Sequence, residues 1–348
     1  QMQKVLVSYI ETIFSSKKNL QGIITTHSTE IVKNVDVNDI KVIRSENNFM
    51  NRIVDLHQFI VNNGDKKFYE TFFKLNFADL IFSDAVIFYE GDAERMYFES
   101  LINRKHSKYI NLTRQYISYC QCGGAHAHKY FPLLNELRMT ACVFTDIDYD
   151  KDRINLFKID KDKSSNTTLN SIFPDRNCNV GSIYHQQKQD RKKNIEIFTQ
   201  TDIDGYARTL EEAILYKLLC NLVYHITTYS NVDQRKFKSK MITAFVNKKR
   251  VKRNIKSRKY NQANKNRNKG VFIKYGRDFW KDIKIESKLD FSIPTKKGLA
   301  ISIRDVVNSM DKTDFMYSII MNGKEAEILP NYIEEGLLWL NNKISSTK

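Results

Sequence analysis

Ala85-Val86-Ile87-Phe88-Tyr89-Glu90-Gly91-Asp92-Ala93-Glu94 is the stretch that decides the fold. Five consecutive apolar, β-branched or aromatic residues suit a strand buried on both faces, as in parallel sheets. The run stops at a carboxylate, a glycine and a helix start, which places Glu90 at the strand's C-terminal end. Catalytic groups collect at that edge of open α/β sheets, because the strand fixes the backbone while the following loop lets side chains converge. With Asp92 as the helix cap, Glu94 points into the same small volume as Glu90. A second apolar strand, Thr140-Ala141-Cys142-Val143-Phe144-Thr145, ends in Asp146-Ile147-Asp148.

Between these runs lie a strand, Tyr116–Cys120, a Gly123-Gly124 turn and a helix carrying Tyr130, Leu133, Leu134 and Leu137. Strands alternating with helices predict an α/β fold, a parallel sheet flanked by helices with right-handed crossovers. Upstream, Gln1–Phe14 reads as a helix without an N-terminal cap, as though the chain began mid-domain. A short strand, Gln21–Thr26, then leads through His27-Ser28 into the helical Thr29–Asn34. Asp39–Ser45 and Ile53–Leu56 read as edge strands, and the amphipathic Lys66–Leu75 as a domain boundary, giving domains 1–65 and 76–348. Downstream, Asp150–Thr168 reads as a loop and Thr209–Thr227 as a helix with Glu211 and Glu212 in its first turn. The C-terminal part is helical, with starts at Lys296-Lys297-Gly298 and a final short helix over Ile328–Leu340.

A chain of 348 residues with 41% hydrophobic residues can bury a substantial core. No apolar run approaches the roughly 18 to 20 residues that span a bilayer, and no signal peptide is evident, so a cytoplasmic location without membrane contact is expected. The five cysteines lack C-x-x-C spacing, which favours free thiols in a reducing compartment. The net charge is +16, yet Gln234–Arg277 holds 17 Lys or Arg and no acid, leaving 39 basic against 40 acidic residues elsewhere. One block carries the whole excess. Such a block reads as a polyanion footprint, DNA first, with Lys248, Lys249, Arg250, Lys252, Arg253, Lys256, Arg258 and Lys259 as candidate contacts. The alternative is a solvated Lys/Asn-rich insertion.

If Glu90, Glu94, Asp146 and Asp148 converge, they cannot all stay ionised without cations. Mg²⁺ or Mn²⁺ resolves the conflict, and two ions about 4 Å apart suit phosphodiester chemistry. His126 and His128 are the nearest candidates for a proton relay. A single acid at a strand end is more often a cap or turn residue; two acid motifs behind two apolar strands are harder to obtain by chance.

Residues 85 to about 150 resemble a Toprim domain, with Tyr89-Glu90-Gly91-Asp92-Ala93-Glu94 matching its glutamate motif and Asp146-Ile147-Asp148 its D-x-D. A strand ending in Thr-Thr-His27-Ser28 before a helix resembles the switch-histidine motif of ABC-type ATPases. No G-x-x-x-x-G-K-[ST] phosphate loop occurs, so this chain alone is not expected to hydrolyse ATP. A switch-histidine segment directly before a Toprim domain resembles the OLD family of nucleases and its Gabija antiphage branch. Arg208-Thr209-Leu210-Glu211, Lys297-Gly298 and Tyr332-Ile333-Glu334-Glu335-Gly336 look like that family too. The resemblance implies a metal-dependent DNA endonuclease or nickase in which Glu90, Glu94, Asp146, Asp148 and Glu211 hold two ions. It gives Lys297 the charge on the phosphate and His27 nucleotide sensing. It further implies ATP in the full-length protein only, self-association, and a helicase-like or other defence partner. Glu212 competes with Glu211, and Lys296 with Lys297. A Toprim RNase and a non-catalytic nucleic-acid-binding regulator are the alternative functions.

Overall fold

The computed structural model describes residues 2–17, 19–47, 50–74, 78–104, 108–122, 126–149, 159–172, 179–187, 193–218, 271–272, 286–287, 303–304, 307–308, 311–321, 323 and 325–346. An N-terminal hairpin of β1 (Lys41–Asn47) and β2 (Met50–Asp55) precedes a four-stranded sheet of β3 (Ala85–Tyr89), β4 (Ile117–Gln121), β5 (Thr140–Phe144) and β6 (Ile195–Phe198). The sheet order is β4-β3-β5-β6 and every pairing in it is parallel. β3 pairs with β5 from Ala85↔Thr140 to Phe88↔Val143. The strand that ends at Asp146 therefore lies beside the strand that ends at Glu90.

All five residues of β3 are buried, and the two-residue period of a strand divides them between two cores. Ala85, Ile87 and Tyr89 join Cys142 and Phe144 of β5 on one face, under Tyr97, Phe98, Leu101 and Ile102 of α5 (Asp92–Ile102). The helical residues 210–218, the helix Lys312–Met321 and the C-terminal helix Asn331–Ser346 complete that layer. Val86 and Phe88 join Ala141 and Val143 on the other face, beneath α3 (Leu56–Asn63), α4 (Lys66–Lys74) and α6 (Phe131–Glu136). The result is the helix–sheet–helix sandwich that a parallel sheet requires.

The first 65 residues share this second core. Val32, Val37, Val42, Val54, Leu56 and Phe59 cluster with Val86 and Phe88. Arg44 Nη1 donates to the carbonyls of Ile81 and Ser83 at 3.2 Å, and Arg52 pairs with Glu136 of α6 at 2.7 Å. The hairpin is thus tied to the segment that launches β3.

Local differences from the sequence expectation have local causes. Gln21–Thr26 is irregular rather than a strand: Ile23 is 95% exposed, and no neighbouring strand pairs with it among the described residues. After α1 (Met2–Ser16), His27 stays exposed beside Phe82, and Ser28 accepts from Ile31 N to cap α2 (Thr29–Asn34). The loop after Asp148 gives way to α7 (Thr167–Ile172), capped by Asn166, and then to α8 (Val180–Gln187). The final helix extends to Ser346. Residues 219–270, with Lys248 to Lys259, and 288–302, with Lys296 and Lys297, lie outside the described residues, as do Gly123 and Gly124. No described helix is long and apolar enough to cross a membrane.

Gly336 is where the C-terminal helix meets the sheet. A Cβ there would come within 2.4 Å of Phe144 Cε1 and 3.0 Å of Phe198 Cγ. In an open helix Gly→Ala stabilises by about 1 kcal/mol, but overpacking a filled core costs about 1–3 kcal/mol. The contact distances decide the sign: Gly336→Ala is expected to lower the melting temperature, and an unchanged or higher value would show that the helix does not seat on β5 and β6.

Candidate active site

Glu90 directly follows β3 and Thr145-Asp146 directly follow β5, so parallel pairing brings them to one edge. Glu90 Oε1 accepts from Thr145 Oγ1 at 2.5 Å and from the Asp146 amide at 3.0 Å. Asn166 Nδ2 donates to Thr145 Oγ1 (2.6 Å) and to the Asp146 carbonyl (2.7 Å), with a longer 3.5 Å approach to Glu90 Oε1. Its Oδ1 meanwhile accepts from the amides of Thr168 and Leu169, capping α7. Asn166 is 1% exposed, and one side chain thus joins the ends of β3 and β5 to the helix that covers them.

Gly91, rather than the expected Asp92, is the N-cap of α5; Asp92 is its first helical residue. Glu94, at the third helical position, reaches back so that Oε2 accepts from the Gly91 amide at 2.9 Å. This is the glutamate half of a capping box. A helix cap and an acid aimed at the strand edge are therefore the same residue.

In the D-x-D segment, Ile147 is fully buried against Leu169, Val180 and Ile183, and its two neighbours are left partly exposed. Asp148 takes a left-handed backbone with φ of 44°, a conformation aspartate tolerates better than most residues, and its carbonyl accepts from Ser165. Asp146 Oδ1 accepts from Gln200 Nε2 at 2.7 Å.

The structure separates Glu211 from Glu212. Glu212 is 1% exposed and pairs with Arg208 and Arg304, each at 3.4 Å, which makes it the anion of a buried ionic cluster. Glu211 Oε2 accepts from Thr209 Oγ1 at 2.8 Å and from Lys312 Nζ at 3.0 Å. The charge of Glu211 acts on both Glu94 and Asp146, so it belongs with the strand-edge acids.

These carboxylates repel one another in a poorly hydrated place. Burial first, then the charges of Glu90, Glu94, Glu211 and Asp148, hold Asp146 well above the usual carboxylate range. Burial, with Glu211 and Glu90 adding, pushes Glu94 up to about 7. Glu90 is raised by burial and Asp148 against the hydrogen bonds from Thr145 and Asp146. Burial likewise raises Asp148, opposed by Arg208 and Lys312. For Glu94, protonation in the folded state begins above its ordinary value of 4.5. The folded state then binds more protons than the unfolded one between about pH 4.5 and 7, so stability falls as pH rises through that window, by on the order of 3 kcal/mol. The melting temperature in chelator is expected to drop from pH 5 to pH 7.5; a flat or rising profile would contradict the clustering.

Among the described residues, no three His, Cys, Asp or Glu side chains close into a ready-made metal cage. The donor set nevertheless fits a hard cation. In Glu90, Asp146 and Glu211 alike, the hydrogen bonds among the described residues converge on one carboxylate oxygen, which leaves the other for an ion. Cys122 does not compete as a ligand: it donates its thiol proton to the Tyr89 carbonyl, and burial pushes it up to about 12. His126 and His128 bond Thr167 and Thr168 of α7.

Lys312 was not singled out by the sequence. It opens a helix capped by Asp311, where the macrodipole disfavours a cation. Burial works to lower its pKa, but Glu211, Asp146 and Glu94 overcome this and raise it. Its side chain keeps 47% of its surface exposed, so the amine stands at the rim of the acid cluster.

Residues 81–148, from just before β3 through Asp148, match the family described as Overcoming lysogenization defect protein-like, TOPRIM domain. The chain carries an OLD-like Toprim domain. The match ends at the D-x-D aspartate, and its strand edge is the one where Glu90 meets Asp146. Around this Toprim domain, the chain is 28% identical over 376 aligned positions to a protein of Bacillus cereus (strain HuB5-5) named Endonuclease GajA. The alignment covers 99% of this chain and 47% of that relative, so the chain spans about half the relative's length.

Proposed function

We propose that this chain is the catalytic part of an OLD-type, divalent-metal-dependent endonuclease that cuts or nicks DNA. The observation that carries the reading is the hydrogen bond from the Asp146 amide to Glu90 across adjacent parallel strands, with Glu94 and Glu211 electrostatically coupled to the pair. Glu90, Glu94, Asp146, Asp148 and Glu211 would hold Mg²⁺ or Mn²⁺, two ions being the number that suits this chemistry. Such ions, when bound, supply Lewis-acid stabilisation of the attacking and leaving oxygens of a phosphodiester. Thr145, Asn166 and the Asp146 amide hold Glu90 in one orientation; the Gly91 amide does the same for Glu94. Lys312, now on Glu211, would donate to a non-bridging phosphate oxygen as charge builds there. Lys297 is the other lysine proposed for this role.

Further parts of the reading rest on the family likeness and the sequence. Residues 1–65 would be the end of an ABC-type ATPase domain, His27 its nucleotide sensor, and ATP a ligand of the full-length protein. Lys248 to Lys259 would bind the DNA backbone. Self-association, a helicase-like or other defence partner, an antiphage role and a cytoplasmic location complete it.

Labelled duplex DNA, single-stranded DNA and RNA, incubated with the protein in chelator, Mg²⁺ or Mn²⁺, test the reading. DNA is expected to be cleaved only with a divalent ion. Cleavage of RNA alone would favour the RNase alternative, and tight binding without cleavage the regulator.

A further inference from the structure

Gln200, the second residue after β6, is fully buried, and all of its hydrogen-bonding capacity is used. Its Oε1 accepts from the Ile147 amide at 3.0 Å and from Thr199 Oγ1 at 3.2 Å. Its Nε2 donates to Asp146 Oδ1 at 2.7 Å and to Tyr332 Oη at 3.1 Å. The orientation of the amide is forced. Ile147 N–H can only donate, so the oxygen faces it, and the NH₂ must face the Asp146 carboxylate. The two ends of one amide thus grip consecutive residues of the D-x-D segment, one by its backbone and one by its side chain.

That grip is anchored from outside the segment. Tyr332, 3% exposed, belongs to the C-terminal helix, and the Asn331 amide at that helix's start donates to Asp204 Oδ1 at 2.7 Å. Asp204 in turn accepts from the amide and hydroxyl of Thr201. The turn after β6 and the start of the C-terminal helix therefore brace each other, and Gln200 projects from that brace to Asp146.

We propose that Gln200 is a positioning residue for the metal site: by holding Oδ1 of Asp146, it presents Oδ2 to the ion. This rests on the metal-site reading above. The side chain has to accept from Ile147 N–H and donate to Asp146 Oδ1: a carboxylate cannot donate, an ammonium cannot accept, and asparagine reaches one methylene less far from the backbone. Residues that hold a ligand in place typically contribute a factor of about 10 to 100 in metal affinity. A residue that merely satisfied the Ile147 amide would affect folding stability and leave the affinity of the folded form unchanged.

The test is Mn²⁺ binding by calorimetry to the full chain, with melting temperature recorded alongside, for wild type, Gln200→Met, Gln200→Asn and Asp146→Asn. The Gln200 variants are expected to bind Mn²⁺ about tenfold or more weakly while still melting cooperatively. Gln200→Asn keeps an amide in the core and serves should Gln200→Met fail to fold. Wild-type Mn²⁺ affinity in a folded Gln200 variant, with weakened binding in Asp146→Asn, would overturn the positioning role and leave the metal site standing. Wild-type affinity in Asp146→Asn would remove the metal site and this inference with it.

Discussion

Asp146→Asn is expected to reduce metal-dependent DNA cleavage by about 10²–10³-fold or more, while raising the melting temperature of the metal-free protein at pH 8. The substitution conserves volume and leaves Oδ1 as an acceptor for Gln200 Nε2. It deletes one negative charge from a place where Glu90, Glu94, Glu211 and Asp148 all act on it. The same change therefore removes a hard-cation ligand and relieves repulsion that only a cation otherwise offsets. Opposite movements of activity and stability separate this account from simple unfolding, which would lower both. A variant that cleaves like wild type, or that loses activity because it melts earlier, would contradict the role given to Asp146.

Lys312→Met is expected to lower the cleavage rate by about 10²-fold, with DNA affinity little changed. Methionine retains the length of the stem and removes the charge. Lys312 Nζ lies on Glu211 at 3.0 Å, and Asp146 and Glu94 also act on it, so it is a cation in direct contact with the acid cluster. Lys297→Met in the same assay decides between the two lysines: a larger loss at Lys297 than at Lys312 would transfer the charge-stabilising role. Single-turnover rates make the comparison, because they separate the chemical step from binding and product release.

What the sequence made legible follows from how its signals are written. The runs at Ala85–Tyr89 and Thr140–Phe144 are continuous and apolar because both faces of a parallel strand are buried, and they became β3 and β5 side by side. Glu90 and Asp146 were visible because an acid closing such a run marks the functional edge. Gln200, Asn166 and Lys312 were not. Each acts across a long sequence separation, Gln200 on a residue 54 positions away and Lys312 on one 101 away. Their local sequence is that of an ordinary turn or helix start. The residues alone left Glu211 and Glu212 competing, since both suit a first helical turn, and the family resemblance named Glu211; the arginines gathered on Glu212 and the lysine on Glu211 separate the two in the fold. In Gln21–Thr26, expected as a strand, the side chains of Ile23 and Ile24 are both exposed in the fold, so its apolar pair carries no burial.

The central claim is that a divalent ion binds between the ends of β3 and β5. Anomalous scattering from crystals grown with Mn²⁺ tests it most directly. One or two peaks within coordination distance of Glu90 and Asp146, with Glu94 or Glu211 completing the shell, are predicted. Crystals that hold Mn²⁺ elsewhere, or that show no peak at this edge at millimolar Mn²⁺, would contradict it.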